Sequence, residues 1–127
     1  MKLAHVALSV KDITRSKEFY ENIFGLKIAR KGEKPDGRIF IFLEDENGTG
    51  IELFQDHEPI ELTENLKDTK NIGMKHLAFE VENIESFLEK NRKYNLRKLT
   101  PIKPGTTVKR YLFITDPDNI PIELFEK

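Results

Sequence analysis

Four side chains in this 127-residue chain have the chemistry of metal ligands and sit at matched positions, His5 and Glu52 in the first half, His76 and Glu123 in the second. Two imidazoles and two carboxylates form a ligand set for a borderline divalent ion. Nitrogen suits nickel, cobalt, zinc or iron, and carboxylate oxygen also admits manganese. The chain has no cysteine, so the thiolates of a structural zinc site and any disulfide are excluded. Four protein ligands on an octahedral ion leave two positions for water or substrate, which is a catalytic arrangement. Taken singly, each residue has a plainer reading: a lone strand His is more often packed or at the surface, and a Glu between Ile and Leu usually lies on a solvated strand face. Their joint repetition favours the ligands.

That repetition is a property of the whole chain. Shifted by 71 places, the sequence lays Ile51-Glu52-Leu53-Phe54 on Ile122-Glu123-Leu124-Phe125 and His5 on His76 without a gap. Residues 1–56 then show 12 identities, among them Ala7, Val10, Ile13, Phe42 and Asp45. Chance would supply roughly a quarter to a third of that, so the chain reads as a duplicated module. Alternation and capping signals make each module βαβββ. In the first, strands at 3–10, 26–32, 38–45 and 50–55 enclose a helix capped by Asp12, with Phe19, Tyr20, Ile23 and Phe24 on its apolar face and Gly25 at its end. In the second, strands at 74–81, 97–101, 107–115 and 120–126 enclose a helix from Asn83 to about Tyr94. The expectation is therefore an α+β fold: tandem βαβββ modules, 1–56 and 73–127, whose curved mixed sheets surround a metal site with the helices outside. The linker, 56–72, carries a short helical piece around 61–67, and the whole chain makes one domain.

Strand parity decides which way the four polar residues look. Val6, Leu8 and Val10 form one apolar set and leave His5, Ala7 and Ser9 on the other face; Ile51 and Leu53 likewise leave Glu52 with Phe54. The second module repeats both patterns. All four candidate ligands thus leave the helix-covered face. Phe40, Phe42, Tyr111 and Phe113 read as core, His57 as a surface residue, and Gly48-Thr49-Gly50 as a turn, since no helix follows it to make a phosphate loop.

Composition narrows the partners. With 21 basic and 22 acidic residues spread along the chain, no stripe is offered to nucleic acid or to an anionic membrane. No apolar run approaches the ~20 residues of a membrane span, and the first residues lack the cleavage pattern of a signal peptide. A soluble cytoplasmic protein with a small-molecule substrate is expected.

The residues now quoted resemble those of the vicinal oxygen chelate superfamily, which includes glyoxalase I, methylmalonyl-CoA epimerase, extradiol dioxygenases and antibiotic-resistance proteins. The marks are HVALSVKDITRSKEFYENIFGLKI, HLAFEVENI and DPDNIPIEL, spread over essentially the whole chain. The resemblance implies that His5, Glu52, His76 and Glu123 bind one divalent metal ion (nickel, cobalt, zinc or manganese), and the full His-Glu-His-Glu set is like that of bacterial glyoxalase I. It also implies a homodimer, with modules pairing within one chain or between two. By similarity to the glyoxalase segment, PIKPGTTVKRYLFITDPDNIPIEL makes Lys103 the cation for substrate carboxylates, and Ser9 and Phe54 are the other substrate-contacting positions implied. Ser9 stands where bacterial glyoxalases that use glutathione have Arg, and Asp56 where they have Asn, which weighs against glutathione as the thiol.

The chemistry expected of such a site is isomerisation. A metal holding two adjacent substrate oxygens stabilises an enediolate, and a carboxylate able to loosen from it moves the proton between neighbouring carbons. The resemblance makes Glu123 the main base and Glu52 its counterpart, turning the hemithioacetal of a 2-oxoaldehyde and a thiol into a 2-hydroxyacyl thioester. The alternatives are a methylmalonyl-CoA epimerase-like racemase and a non-enzymatic protein that binds a small molecule or antibiotic.

Overall fold

Each helix begins where the sequence supplies a cap and is pinned at its start by the last strand of its own module. The computed structural model describes residues 1–61 and 68–127, and the chain divides into two compact units, Met1–Leu62 and Thr63–Lys127. The helical piece expected around 61–67 falls almost wholly outside the described residues.

In the first unit, helix α1 spans Ile13–Phe24. Asp12 is extended, and its carboxylate accepts the Arg15 N–H at 3.1 Å, satisfying one of the free donors of the first turn. Gly25 ends the helix in the left-handed region, φ 70°, where a side chain would be strained, and its N–H returns to Glu21 O. Strands β1 (His5–Ser9), β2 (Lys27–Glu33), β3 (Ile39–Glu44) and β4 (Gly50–Gln55) form one sheet in the order β1-β4-β3-β2. The α1 crossover makes β1 parallel to β4, while the two hairpins make the other pairs antiparallel. Tyr20 and Ile23 of α1 are buried, as are Ile41, Leu43, Ile51 and Leu53 of the strands beneath it.

Two local features set what the opposite face carries. In β2 the pairing slips by one residue between Ile28 and Arg30, so Ile28 pairs with Leu43 while Arg30 pairs with Phe42. This bulge at Ala29 turns Arg30 onto the Phe42 face. Gly50 pairs with His5, and a Cβ there would lie 2.3 Å from Leu43 O and 2.8 Å from the Phe42 ring. Only glycine lets that ring lie where it does.

The second unit repeats the plan: β5 (Leu77–Glu80), α2 (Ile84–Lys90), a 3₁₀ turn at Arg92–Tyr94, β6 (Lys103–Pro104), β7 (Arg110–Thr115) and β8 (Pro121–Glu126), with strand order β5-β8-β7-β6. Asn83 caps α2 by accepting the Ser86 N–H at 2.8 Å. The fold is thus the expected α+β tandem of βαβββ modules, with several elements shorter than expected, among them β1 (expected over 3–10) and β7 (expected over 107–115). The helix expected to run to about Tyr94 stops at Lys90: Asn91 donates its side-chain amide to Phe87 O at 2.9 Å, and the chain tightens into the 3₁₀ turn, closed by Asn95 in the left-handed region. The strand expected at 97–101 is reduced to the Lys98–Ile114 bridge and the two residues of β6. Pro101 and Pro104 have no N–H for the ladder, and Phe113 N donates to the Thr100 hydroxyl instead. Strand β5 starts at Leu77 rather than at 74, leaving His76 just ahead of it.

The duplication extends to a joint. Gln55, the last residue of β4, accepts the Ile13 N–H through its side-chain oxygen at 2.7 Å. Glu126, 71 positions on, does the same for Ile84 at 2.9 Å. Glu126 is buried and also takes Arg110, which grips Glu85 through two bonds of 2.7 Å. Those bonds from Arg110 pull the Glu85 carboxyl down to about 2, and Arg110 followed by the Ile84 N–H lowers that of Glu126. Among the described residues no helix is long and apolar enough to cross a membrane.

Candidate metal centre

The two His–Glu pairs predicted from parity form in both units. His5 stands at the start of β1 and Glu52 in the middle of β4, and their parallel pairing brings His5 Nε2 to 3.5 Å from a Glu52 oxygen. In the second unit His76 Nε2 lies 3.0 Å from Glu123. Both carboxylates are well covered, with side-chain exposures of 17% and 20%, whereas the imidazoles are more open at 41% and 34%. Strand alternation is the cause: Leu53 and Leu124, their neighbours, are fully buried on the helix side.

Each imidazole rests edge-on against an aromatic ring supplied by the neighbouring hairpin. His5 meets Phe42 and His76 meets Phe113, both at 5.0 Å between centroids, with interplanar angles of 73° and 82°. Phe42 pairs across the ladder with Glu52, and Phe113 with Glu123. Of the four aromatic residues read as core, burial bears that out for Phe42 and corrects it for Phe40, Tyr111 and Phe113. Phe42 is buried and Phe113 half-buried, but they, with Phe40 and Tyr111 two residues earlier, lie on the face that carries the candidate ligands. The signal was available: Phe42 and Phe113 are matched across the repeat, and hairpin register gives them the parity of the two glutamates.

The carboxylates differ in what else they meet. The second Glu52 oxygen faces Lys34 Nζ at 3.6 Å, whereas Glu123 has no side-chain partner besides His76 among the described residues. Lys34 lies over Phe54 (4.6 Å) and Phe40 (5.4 Å), Arg38 over Phe54 (5.2 Å) and Arg30 over Phe42 (4.6 Å). Reasoning from sequence passed over these three cations, because the bulge that aims Arg30 cannot be read from alternation. Ser9 is exposed and pairs with Phe54. Lys103, exposed on β6, pairs with Tyr111 and so shares the face of Phe113 and Glu123. His57 is exposed, as expected, with its ring close against the turn at Gly37.

The donor set fits a divalent ion pair by pair. Two adjacent ligands on an octahedral ion, each bonded at about 2.1 Å, stand about 3 Å apart, close to both His–Glu separations. In both pairs Nε2 is the nitrogen presented, and the flanking ring limits how the imidazole turns. Within the described residues no three or more His, Asp or Glu side chains gather as one group, so each pair stands as a candidate half-site.

The profile of the Glyoxalase/Bleomycin resistance protein/Dioxygenase superfamily matches residues 2–124. The chain belongs to that superfamily. Within this glyoxalase group it is lactoylglutathione lyase-like, as two relatives illustrate. It is 33% identical to the lactoylglutathione lyase of Neisseria meningitidis serogroup A, covering 100% of this chain and 91% of the relative. It is 35% identical to that of Shigella flexneri, covering 100% and 93%. Among solved structures, the trypanothione-dependent glyoxalase I of Leishmania major superposes with a TM-score of 0.77 at 25% identity, over 99% of this chain and 86% of that one.

Proposed function

We propose that this glyoxalase-superfamily chain is a metal-dependent isomerase of the glyoxalase I type, converting the hemithioacetal of a 2-oxoaldehyde and a thiol into a 2-hydroxyacyl thioester. The observation that carries the proposal is the repeated His–Glu pair, at 3.5 Å and 3.0 Å in units related by the duplication. The full-length similarity to lactoylglutathione lyases supports it. His5, Glu52, His76 and Glu123 would together hold one divalent ion, nickel, cobalt, zinc or manganese, with the two units acting as one functional domain in a homodimer. Bound there, the ion would act as a Lewis acid that lowers the barrier to removing a proton beside a carbonyl.

The chain's own residues handle the proton. Glu123 keeps one oxygen clear of side-chain partners, while both oxygens of Glu52 face a cation or an imidazole. Glu123 is accordingly the main base, taking the proton from the carbon that bears the thiol sulfur and delivering it to the adjacent carbon; Glu52 is its counterpart. Phe42 and Phe113 pack edge-on against the imidazoles and limit how they turn. Lys103, Ser9 and Phe54 are the positions assigned to the substrate. A chain without cysteine acting on thiol adducts suits the reducing cytoplasm.

The test is metal content followed by turnover. Purified protein supplied with nickel, cobalt, zinc or manganese should hold one ion per site, and both His5→Ala and Glu123→Ala should release it. Tight binding that survives both substitutions overturns the ligand assignment. Metal-loaded protein should then isomerise methylglyoxal hemithioacetals; racemisation of methylmalonyl-CoA without that activity would point to an epimerase, and neither activity to a binding protein.

A further inference from the structure

We propose that the strip formed by Arg30, Lys34 and Arg38 on the Glu52 face of the first sheet binds a carboxylate of the substrate's thiol carrier. This deepens the isomerase reading and rests on it. Long cationic side chains at a surface ordinarily reach into water with only their stems packed. Here three from one hairpin are laid over the aromatic floor of Phe42, Phe40 and Phe54, beside the half-site. Gly32, between Arg30 and Lys34, packs close beneath the Phe40 ring: a Cβ there would come within 3.2 Å of it. The floor continues to Glu52, since Phe42 pairs with Glu52 and Phe40 with Phe54.

The donors on the strip are largely unspent. Arg38 gives its Nε to Asp36 at 2.9 Å, and neither terminal nitrogen has a partner among the described residues. The guanidinium is therefore aimed by one bond while its fork stays open, the geometry that takes a carboxylate through two parallel bonds. Lys34 stands 3.6 Å from Glu52, an ion pair without a hydrogen bond, and the Arg30 guanidinium hydrogen-bonds to no described residue. Three cations face two carboxylates, Glu52 and Asp36, which leaves the strip net positive. Lys103, the cation chosen from sequence, is exposed on a two-residue strand with no ring beneath it among the described residues. The first-unit strip is the better built of the two.

The experiment compares two thiols that differ in charge alone. Metal-loaded full-length protein is given the methylglyoxal hemithioacetals of N-acetylcysteine and of its neutral amide, and the ratio of their kcat/KM values is measured. Wild type should favour the carboxylate by about ten-fold, a preference that shrinks as salt rises. Lys34→Gln with Arg38→Gln should bring the ratio to about one, Lys34→Arg with Arg38→Lys should retain it, and Lys93→Gln on the second unit should not move it, circular dichroism confirming the fold of each. A wild-type ratio near one, or an unchanged ratio in the Gln double variant, overturns the strip. If neither hemithioacetal is turned over, it is the isomerase reading that fails. The strip is then judged by calorimetric titration with S-methyl-N-acetylcysteine and its amide: tighter binding of the acid, lost in the Gln double variant, supports it, and equal binding refutes it.

Discussion

Glu52 and Glu123 occupy the same place in a duplicated strand and yet are not equivalent, because among the described residues a lysine stands beside the first alone. The Glu123→Gln variant should lower kcat by about a hundred-fold or more, the usual contribution of a positioned base, and Glu52→Gln by less; single-turnover proton exchange from substrate to solvent reads the difference. Gly50 is the quieter requirement. A methyl there has to displace the Phe42 ring and the Leu43 carbonyl, so Gly50→Ala should cost about 2 kcal/mol in urea unfolding and loosen metal binding at His5. The four candidate ligands were legible because a repeat and a parity rule suffice to find them. The cations were not. Arg30 reaches the Glu52 face through a one-residue slip, and Arg38 through the closing turn of the β2–β3 hairpin, which the periodicity of a strand does not describe.

At the scale of elements, the joint between the last strand and the helix start was built twice, with a neutral amide at Gln55 and a carboxylate at Glu126. Gln55→Ala leaves the Ile13 N–H without its acceptor and should cost about 1 kcal/mol, read by urea unfolding. The charged version responds to acid. Both Glu126 and Glu85 are held below the ordinary value of 4.5, so their contribution to stability is present above that value and is lost as pH falls below it, towards about 2 in the case of Glu85. Hydrogen exchange on acidification should therefore show α2 opening before α1, and Glu126→Gln, which gives the second joint the chemistry of the first, should flatten that pH dependence. Asp36 and Glu61 in the first unit are also lowered, chiefly by bonds from Arg38 and Lys11, but these exposed pairs carry less of the fold. Sequence located the helices and hairpins from caps, glycines and alternation. It overextended β5, α2 and the strand before Lys103, since an Asn side chain turned onto a carbonyl and two prolines at a sheet edge end elements without interrupting their apolar pattern.

At the scale of the whole molecule, the duplication predicts cooperation. The protein should sediment as a dimer, and a mixture of His5→Ala and His76→Ala variants, refolded together, should regain metal-dependent activity if the modules pair between chains and stay inactive if they pair within one. A catalytic site assembled from two equal halves would have a two-fold axis of its own and would treat the two faces of a planar substrate alike. The two modules are unequal in their second strands: β2 runs for seven residues, with Arg30 on it and Lys34 and Arg38 in the turn that follows, while β6 has two. Unequal charge on the two sides would give the substrate a direction, so the carbon that regains the proton would receive it on one face, and the 2-hydroxyacyl product should emerge as a single enantiomer.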